Sequence, residues 1–433
     1  MTAGTVAYAG PLRWGVRRVL VLLAIAGLPF TLALTIDVKF PLKIYELALA
    51  LAALTCLAQL RIPTILAARR AALPVVALLC LALLVLLIHT WFPPSGLQAS
   101  AFESRYGPLG DGIAKILYVG LALFGFLLAA WHSFRDEDAV IRAWLVGAWA
   151  ASAYAWYLLA STVAGVEPVL LPGATDPQRI GLGNLVFIRS GTFEEGNYFG
   201  LFLVLSTALA LYARRRGTAL VLSATVLTTF STVNLLALAV LWTLVLLGPL
   251  SGGIQRRILY KTGGLAIVAV VGAVLVSTGY LQSVVLGKLT GADVGSRLER
   301  LNQALTGLQI FLAHPLAGVG LSQYGYYYDR YQFVSVALPI DPVLAKHIAN
   351  NVYIELLSEL GLVGLLLFAV FLIQVYRRSG GPILWPLRCG LIAMLLAFNA
   401  FPTFSVMFVW AFLGLVVGAS ARAGGRVVPA ETA

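Results

Sequence analysis

Apolar residues run along this chain in long blocks separated by short polar breaks. Most blocks are long enough to cross a bilayer as a helix, for which about 20 residues suffice at about 1.5 Å rise per residue. Twelve spans are predicted, at roughly 19–36, 44–60, 72–91, 112–131, 140–163, 197–213, 217–231, 233–249, 263–280, 352–375, 383–401 and 403–421. The run from Thr218 to Leu247 is too long for one span and short for two. It reads as two helices meeting near Ser231, Thr232 and Asn234, which leaves open whether both cross fully.

Two polar segments exceed an ordinary connection, one over 165–196 and one over 281–351. Long connections in a compact protein are usually functional or disordered. The second carries Leu298, Leu301, Leu305, Leu308 and Phe311 or Leu312 at helical spacing, which predicts an amphipathic helix over Ser296–Leu312. Such a helix suits the membrane face of the protein, capping a cavity. The organisation is then spans one to nine over 1–280, the large loop over 281–351, spans ten to twelve over 352–421, and a tail over 422–433.

Composition agrees, with 60% hydrophobic and 11% charged residues against roughly a quarter charged in soluble domains. The formal charge of +12 does not point to nucleic acid, because the basic residues fall in small clusters between apolar blocks. With a cytoplasmic N-terminus the inner segments hold Arg13, Arg17 and Arg18; Arg61, Arg69 and Arg70; Arg135 and Arg142; Arg214, Arg215 and Arg216; Arg256, Arg257 and Lys261; Arg377, Arg378 and Arg388; and Arg422 and Arg426. The short outer loops are poorer, with Lys39, Lys43, Arg105 and Lys115. This bias sets both termini in the cytoplasm and both long loops outside. The first span serves as an uncleaved anchor. Cys56, Cys80 and Cys389 all lie in apolar blocks and form no disulfide framework.

The candidate chemistry lies in the two outer loops. Arg189, in Arg189-Ser-Gly-Thr-Phe-Glu-Glu-Gly-Asn-Tyr-Phe-Gly200, stands just before the sixth span. An arginine there can offer a flat donor fork to a phosphate. It can equally anchor a helix end or pair with Glu194 or Glu195. Arg297 and Arg300 lie on the first turns of the amphipathic helix and with Lys288 make the large loop basic, so a diphosphate is the expected anionic partner; a solvated helix start capped by Asp293 or Ser296 suits Arg300 equally. His314, in His314-Pro-Leu-Ala-Gly-Val-Gly320, is a helix-terminal residue more often than a catalytic one. The tyrosines from Tyr324 to Tyr331 suit sugar stacking and a membrane interface alike. Asp136-Glu137-Asp138 resembles a metal-holding triplet but precedes a span, where acidic residues favour the helix dipole. His89, His132, His314 and His347 lack zinc-ligand spacing, and no phosphate-cradling nucleotide loop occurs. No metal or cofactor is expected.

The large loop contains Gly295-Ser-Arg297 and His314-Pro-Leu-Ala-Gly-Val-Gly320, and closes on Asn350-Asn-Val-Tyr-Ile-Glu-Leu-Leu-Ser-Glu-Leu-Gly-Leu-Val-Gly364. With the Arg189 stretch, Gly191 and Asn197, this resembles the O-antigen ligase and polymerase superfamily. The resemblance covers 189–364. It implies an all-α polytopic protein of the glycosyltransferase C class in a bacterial inner membrane, with its active site in the periplasm. The implied donor is a glycan on undecaprenyl diphosphate, and the acceptor is another lipid-linked glycan or a lipid A core sugar. Outer arginines would hold the diphosphate and a histidine would activate the acceptor. The resemblance makes Arg189, Arg297 and Arg300 the substrate-binding set, with His314, Asn350 and Tyr324 beside them. His347 is the first candidate base, with Glu195 and Glu194 behind it; a nearby arginine is expected to lower a carboxyl's pKa and weaken it as a base.

Two departures bear on subtype. Asn350-Asn351 stands where the family often has His-Asn, and His347 is the nearest histidine. Ser231-Thr232-Val233 stands where ligase-like members often carry Ser-Arg-Gly. Both lean toward a polymerase of O-antigen or exopolysaccharide repeats, with the ligase as alternative. The rival from another class is a lipid-linked glycan transporter, which would place ionisable groups near mid-bilayer. This sequence keeps nearly all its charge outside the spans, with Glu46, Glu355 and Glu359 as exceptions near span ends.

Overall fold

The structure is a computed structural model that describes residues 15–37, 41–58, 62–92, 107–174, 177–182, 185–248, 294–332 and 347–425. The span expected over 263–280, and Lys288, lie outside the described residues. The chain is an α-helical, membrane-embedded protein. Four helices among the described residues are long and apolar enough to cross a membrane: α3 (Leu66–Trp91), α4 (Gly107–Val163), α10 (Val352–Arg378) and α12 (Met407–Gly425). Shorter helices pack among them: α1 (Val16–Gly27), α2 (Ile44–Ala58), α5 (Gly196–Tyr212), α6 (Arg216–Val226), α7 (Thr232–Leu247) and α11 (Trp385–Ala397). Two further helices, α8 (Val294–Ala313) and α9 (Tyr324–Tyr331), belong to the large loop.

Polar side chains gather at the two ends of the bundle. At one end Arg18 of α1 pairs with Asp136, and the Arg422 Nε of α12 lies 3.8 Å from Glu137. At the other, Lys43 ahead of α2 pairs with Glu194 at 3.2 Å, and the backbone N–H groups of Thr31, Leu32 and Ala33 converge on the Thr192 carbonyl. Between the ends, α12 crosses α4 on small residues. A Cβ on Gly414 would stand 2.3 Å from the Phe126 carbonyl oxygen, and one on Gly418 2.4 Å from that of Ala130. Without a hydrophobic drive between helices in lipid, such close approach supplies the attraction.

The expected boundaries shift for physical reasons. The two spans expected over 112–131 and 140–163 run through one element broken at Asp136, whose φ and ψ are −149° and 70°. Its Oδ1 accepts from the Ala139 N–H at 3.3 Å, so the acidic triplet supplies a helix cap. The first helix stops at Gly27, well short of 36, with Pro29 beyond it. The polar residues between α6 and α7 lie at the end of the bundle where α5 begins. There a single 3-10 turn (Leu227–Thr229) and Phe230 at φ 49° reverse the chain.

The structure fixes which face of α8 packs inward. Its predicted apolar stripe faces outward, with Leu298 47%, Leu301 55% and Leu312 72% exposed. The face that packs inward is Gln303, Thr306, Gly307 and Ile310, all buried. Gly307 sets this rotation, because a Cβ there would stand 2.2 Å from the Ile354 side chain of α10. The leucine stripe is left for the surrounding medium.

The segment after α8 is locked to α10. That helix is interrupted at Gly361, whose φ is 65°. Val319 and Gly320 donate to the Ser358 and Glu359 carbonyls at 3.0 and 2.8 Å, and Leu362 and Val363 donate to those of Pro315 and Leu316 at 2.9 and 3.2 Å. The Pro-Leu-Ala-Gly-Val-Gly segment thus satisfies the backbone groups freed by the break.

Candidate functional site

Arg189 is delivered by a β-hairpin that the sequence reading missed. Strands β1 (Arg179–Leu182) and β2 (Leu185–Ile188) pair antiparallel, with Arg179 opposite Ile188. The signal was the Gly183-Asn184 dipeptide between two short apolar runs. The Arg189 N–H donates to the Gln178 carbonyl at 3.0 Å, and Gln178 Oε1 accepts from the Gly196 N–H at 2.9 Å. The Arg189 side chain is buried, and its Nη2 donates to Asn197 Oδ1 at 3.2 Å. Gly196 makes room for it, since a Cβ there would stand 2.6 Å from the Arg189 Nε.

Behind Arg189 lies a buried polar cluster from three elements. Ser231 Oγ donates to Asn197 Oδ1 at 2.8 Å, and Asn234 Nδ2 donates to the Asn197 carbonyl at 2.9 Å. Gly200 admits Asn234, whose Nδ2 lies 2.3 Å from where a Cβ would be. The polar residues between α6 and α7 therefore orient Asn197, and Asn197 orients the guanidinium.

Glu195, half-buried at the start of α5, connects this cluster to α8. Burial raises its carboxyl above the usual range, against the lowering pull of Arg300 and then Arg189, with Glu194 adding to the rise. The expected lowering by arginine is present, but burial outweighs the two guanidiniums. Glu194 is exposed and held by Lys43.

Asn302, two residues beyond Arg300, donates to the Tyr328 hydroxyl at 3.0 Å. The His347 ring stacks on Tyr328, with centroids 3.9 Å apart and planes 19° from parallel. Asn350 Nδ2 donates to Gln303 Oε1 at 2.6 Å. The first turns of α8 thus gather His347 and Asn350 near Arg300, and Glu195 feels the charge of both Arg300 and Arg189. The side chain of Arg297 lies outside the described residues.

Of the remaining candidates, His314 sits apart and Tyr324 lies beside Gln303 and Tyr328. His314 closes the far end of α8, about 20 Å along the axis from Arg300 at the usual rise per residue. Its ring meets Tyr327 and Tyr331 edge-on, and its carbonyl accepts from the Gly318 N–H. Tyr324 is buried and spends its hydroxyl on the Gln303 carbonyl at 2.6 Å. Both hold the loop together.

Two carboxylates of the closing motif also have work inside the protein. Glu359 accepts from the Ser322 and Tyr324 N–H groups at 2.8 and 3.3 Å, fixing the start of α9. Glu355 accepts from Lys115 Nζ at 3.1 Å, Thr403 Oγ1 at 2.8 Å and the Phe404 N–H at 3.0 Å. This ion pair ties α4 to α10 inside the bundle, where Lys115 had been expected in an outer loop.

Residues 185–369 match the family model described as O-antigen ligase. No curated protein matches the chain.

Proposed function

From the place of residues 185–369 in the O-antigen ligase and polymerase superfamily, we propose that this chain transfers a glycan from an undecaprenyl-diphosphate donor to an acceptor hydroxyl on the extracytoplasmic face of a bacterial inner membrane. The observation that carries the reading is the buried Arg189 guanidinium, held by Asn197 next to Glu195, whose carboxyl feels the charge of both Arg300 and Arg189. Two cations suit a diphosphate leaving group, and a carboxyl of raised pKa suits a base. In the reaction the acceptor oxygen forms the new bond to the anomeric carbon. The bond from that carbon to the phosphate oxygen breaks, and the electron pair leaves on the diphosphate. The acceptor proton passes to Glu195 or His347.

The alternation of helices supports placing this site outside. Arg18, Arg135 and Arg422 lie at the opposite end of the bundle, where retained cytoplasmic arginines belong. Twelve spans with both termini inside fit that arrangement. We favour a polymerase, on the Asn350-Asn351 and Ser231-Thr232-Val233 departures. The test is the purified full chain with lipid-linked glycan and no nucleotide or gradient. Longer lipid-linked glycans identify a polymerase, and transfer only when a lipid A core is added identifies a ligase. No change in either mixture rejects the reading.

A further inference from the structure

The end of the bundle away from Arg189 holds a second cationic site. The start of α1, the segment leading into α3, and the end of the first half of α4 enclose a cavity of about 250 Å³ lined by Arg17, Arg69 and Arg135 with Trp131, Thr64 and Ile62. No acidic residue is among the described residues that line it. The carboxylates beside it are engaged elsewhere: Asp136 by Arg18, and Glu137 by Arg422 and the Tyr212 hydroxyl. The Arg135 guanidinium lies 5.1 Å from the Trp131 ring centroid, within cation–π reach. Arginines from three helices on a lining with no carboxylate make the cavity cationic, and the guanidiniums of Arg69 and Arg135 suit an anion there.

The surroundings identify which anion. Leu66, Arg69, Leu73 and Val76 of α3 follow helical spacing and so share one face. That face is open, with Leu66 63%, Leu73 64% and Val76 45% exposed. An apolar track thus runs along α3 directly from the arginine that lines the cavity. A free phosphate has no use for it, whereas a phospholipid has two acyl chains to lay there. We propose that this cavity binds the phosphodiester headgroup of an anionic membrane phospholipid, whose chains follow α3. Bound there, the lipid would bridge α1, α3 and α4.

The test is native mass spectrometry of the full chain in detergent, titrated with phosphatidylglycerol and, separately, with zwitterionic phosphatidylcholine. The expected preference for phosphatidylglycerol is about tenfold or more, and it shrinks with salt. In the Arg69→Gln/Arg135→Gln double variant the preference should fall to about twofold or less. Either single variant should lose about threefold, which keeps the test valid if the double variant does not fold. Arg189→Ala should leave the preference unchanged, separating this site from the one at the other end. Equal binding of the two lipids by the wild type, or an unchanged preference in both single variants, overturns the proposal. Displacement of phosphatidylglycerol by millimolar inorganic phosphate also overturns it, by assigning the cavity to a soluble anion.

Discussion

Gly318 and Gly361 lie on two backbone segments in direct contact: a Cβ on Gly318 would stand 2.3 Å from the Glu359 carbonyl carbon, and one on Gly361 would stand 2.4 Å from that of Leu316. Both residues hold positive φ, 66° and 65°. Alanine at either position meets two penalties, about 1–2 kcal/mol for left-handed backbone and about 1–3 kcal/mol for overpacking. Gly318→Ala and Gly361→Ala should each lower stability by at least about 2 kcal/mol, read by thermal unfolding in detergent. Gly217→Ala, where nothing lies within 4 Å, is the control and should change stability by less than about 1 kcal/mol. Equal behaviour of the three variants would contradict the docked arrangement.

Arg189 should be the most sensitive substrate-binding position. A buried charge-assisted contact to the donor is worth about 1.5–3 kcal/mol, so Arg189→Ala should lower turnover at least about tenfold. Lysine should restore little, because it cannot both bond Asn197 and present a fork. Gly196→Ala should act in the same direction, since the added methyl meets the Arg189 Nε. Donor binding and turnover measured together check this, and near-normal values in Arg189→Ala would remove the residue from the site.

The acid limb of the pH–rate profile distinguishes the two candidate bases. A base must be ionised to act. The raised Glu195 value therefore means activity that grows with pH through a midpoint above the ordinary carboxylate range and is lost below it. If Glu195 is the base, Glu195→Gln should lower turnover by about 10²–10⁴-fold and abolish that limb, with donor binding retained. If His347 is the base, that loss should appear in His347→Ala instead. A variant within a few-fold of wild type marks its residue as structural.

The Lys115–Glu355 pair should behave as a unit. Its side chains are 18% and 7% exposed, so removing one partner leaves the other charge poorly solvated. Lys115→Met or Glu355→Gln alone should destabilise by about 3 kcal/mol. The double variant should lose less than the sum of the two, because no charge is then stranded. A double-mutant cycle on unfolding measures this directly, and additive losses would show that the pair is not coupled.

How much could be read without coordinates differs from residue to residue. The long apolar helices over 66–91 and 352–378 were legible because a membrane helix must satisfy every backbone group internally, which writes a long apolar block into the chain. Asp136 and Gly361 were visible as residues but not as breaks. A break depends on what meets the freed backbone, and for Gly361 that is a segment some forty residues earlier. The hairpin ahead of Arg189 carried a turn signal that the prevailing apolar pattern obscured.

Sequence alone determined the α-helical, membrane-embedded class and the superfamily resemblance. Each of these rests on composition, local periodicity or short motifs, which survive without knowledge of distant contacts. Tertiary structure alone decided which face of α8 packs inward: Gly307 meets Ile354 there, while the leucine stripe stays exposed. It also decided the state of Glu195. Local charge alone would have lowered that carboxyl's pKa, but burial between elements distant in the chain raises it.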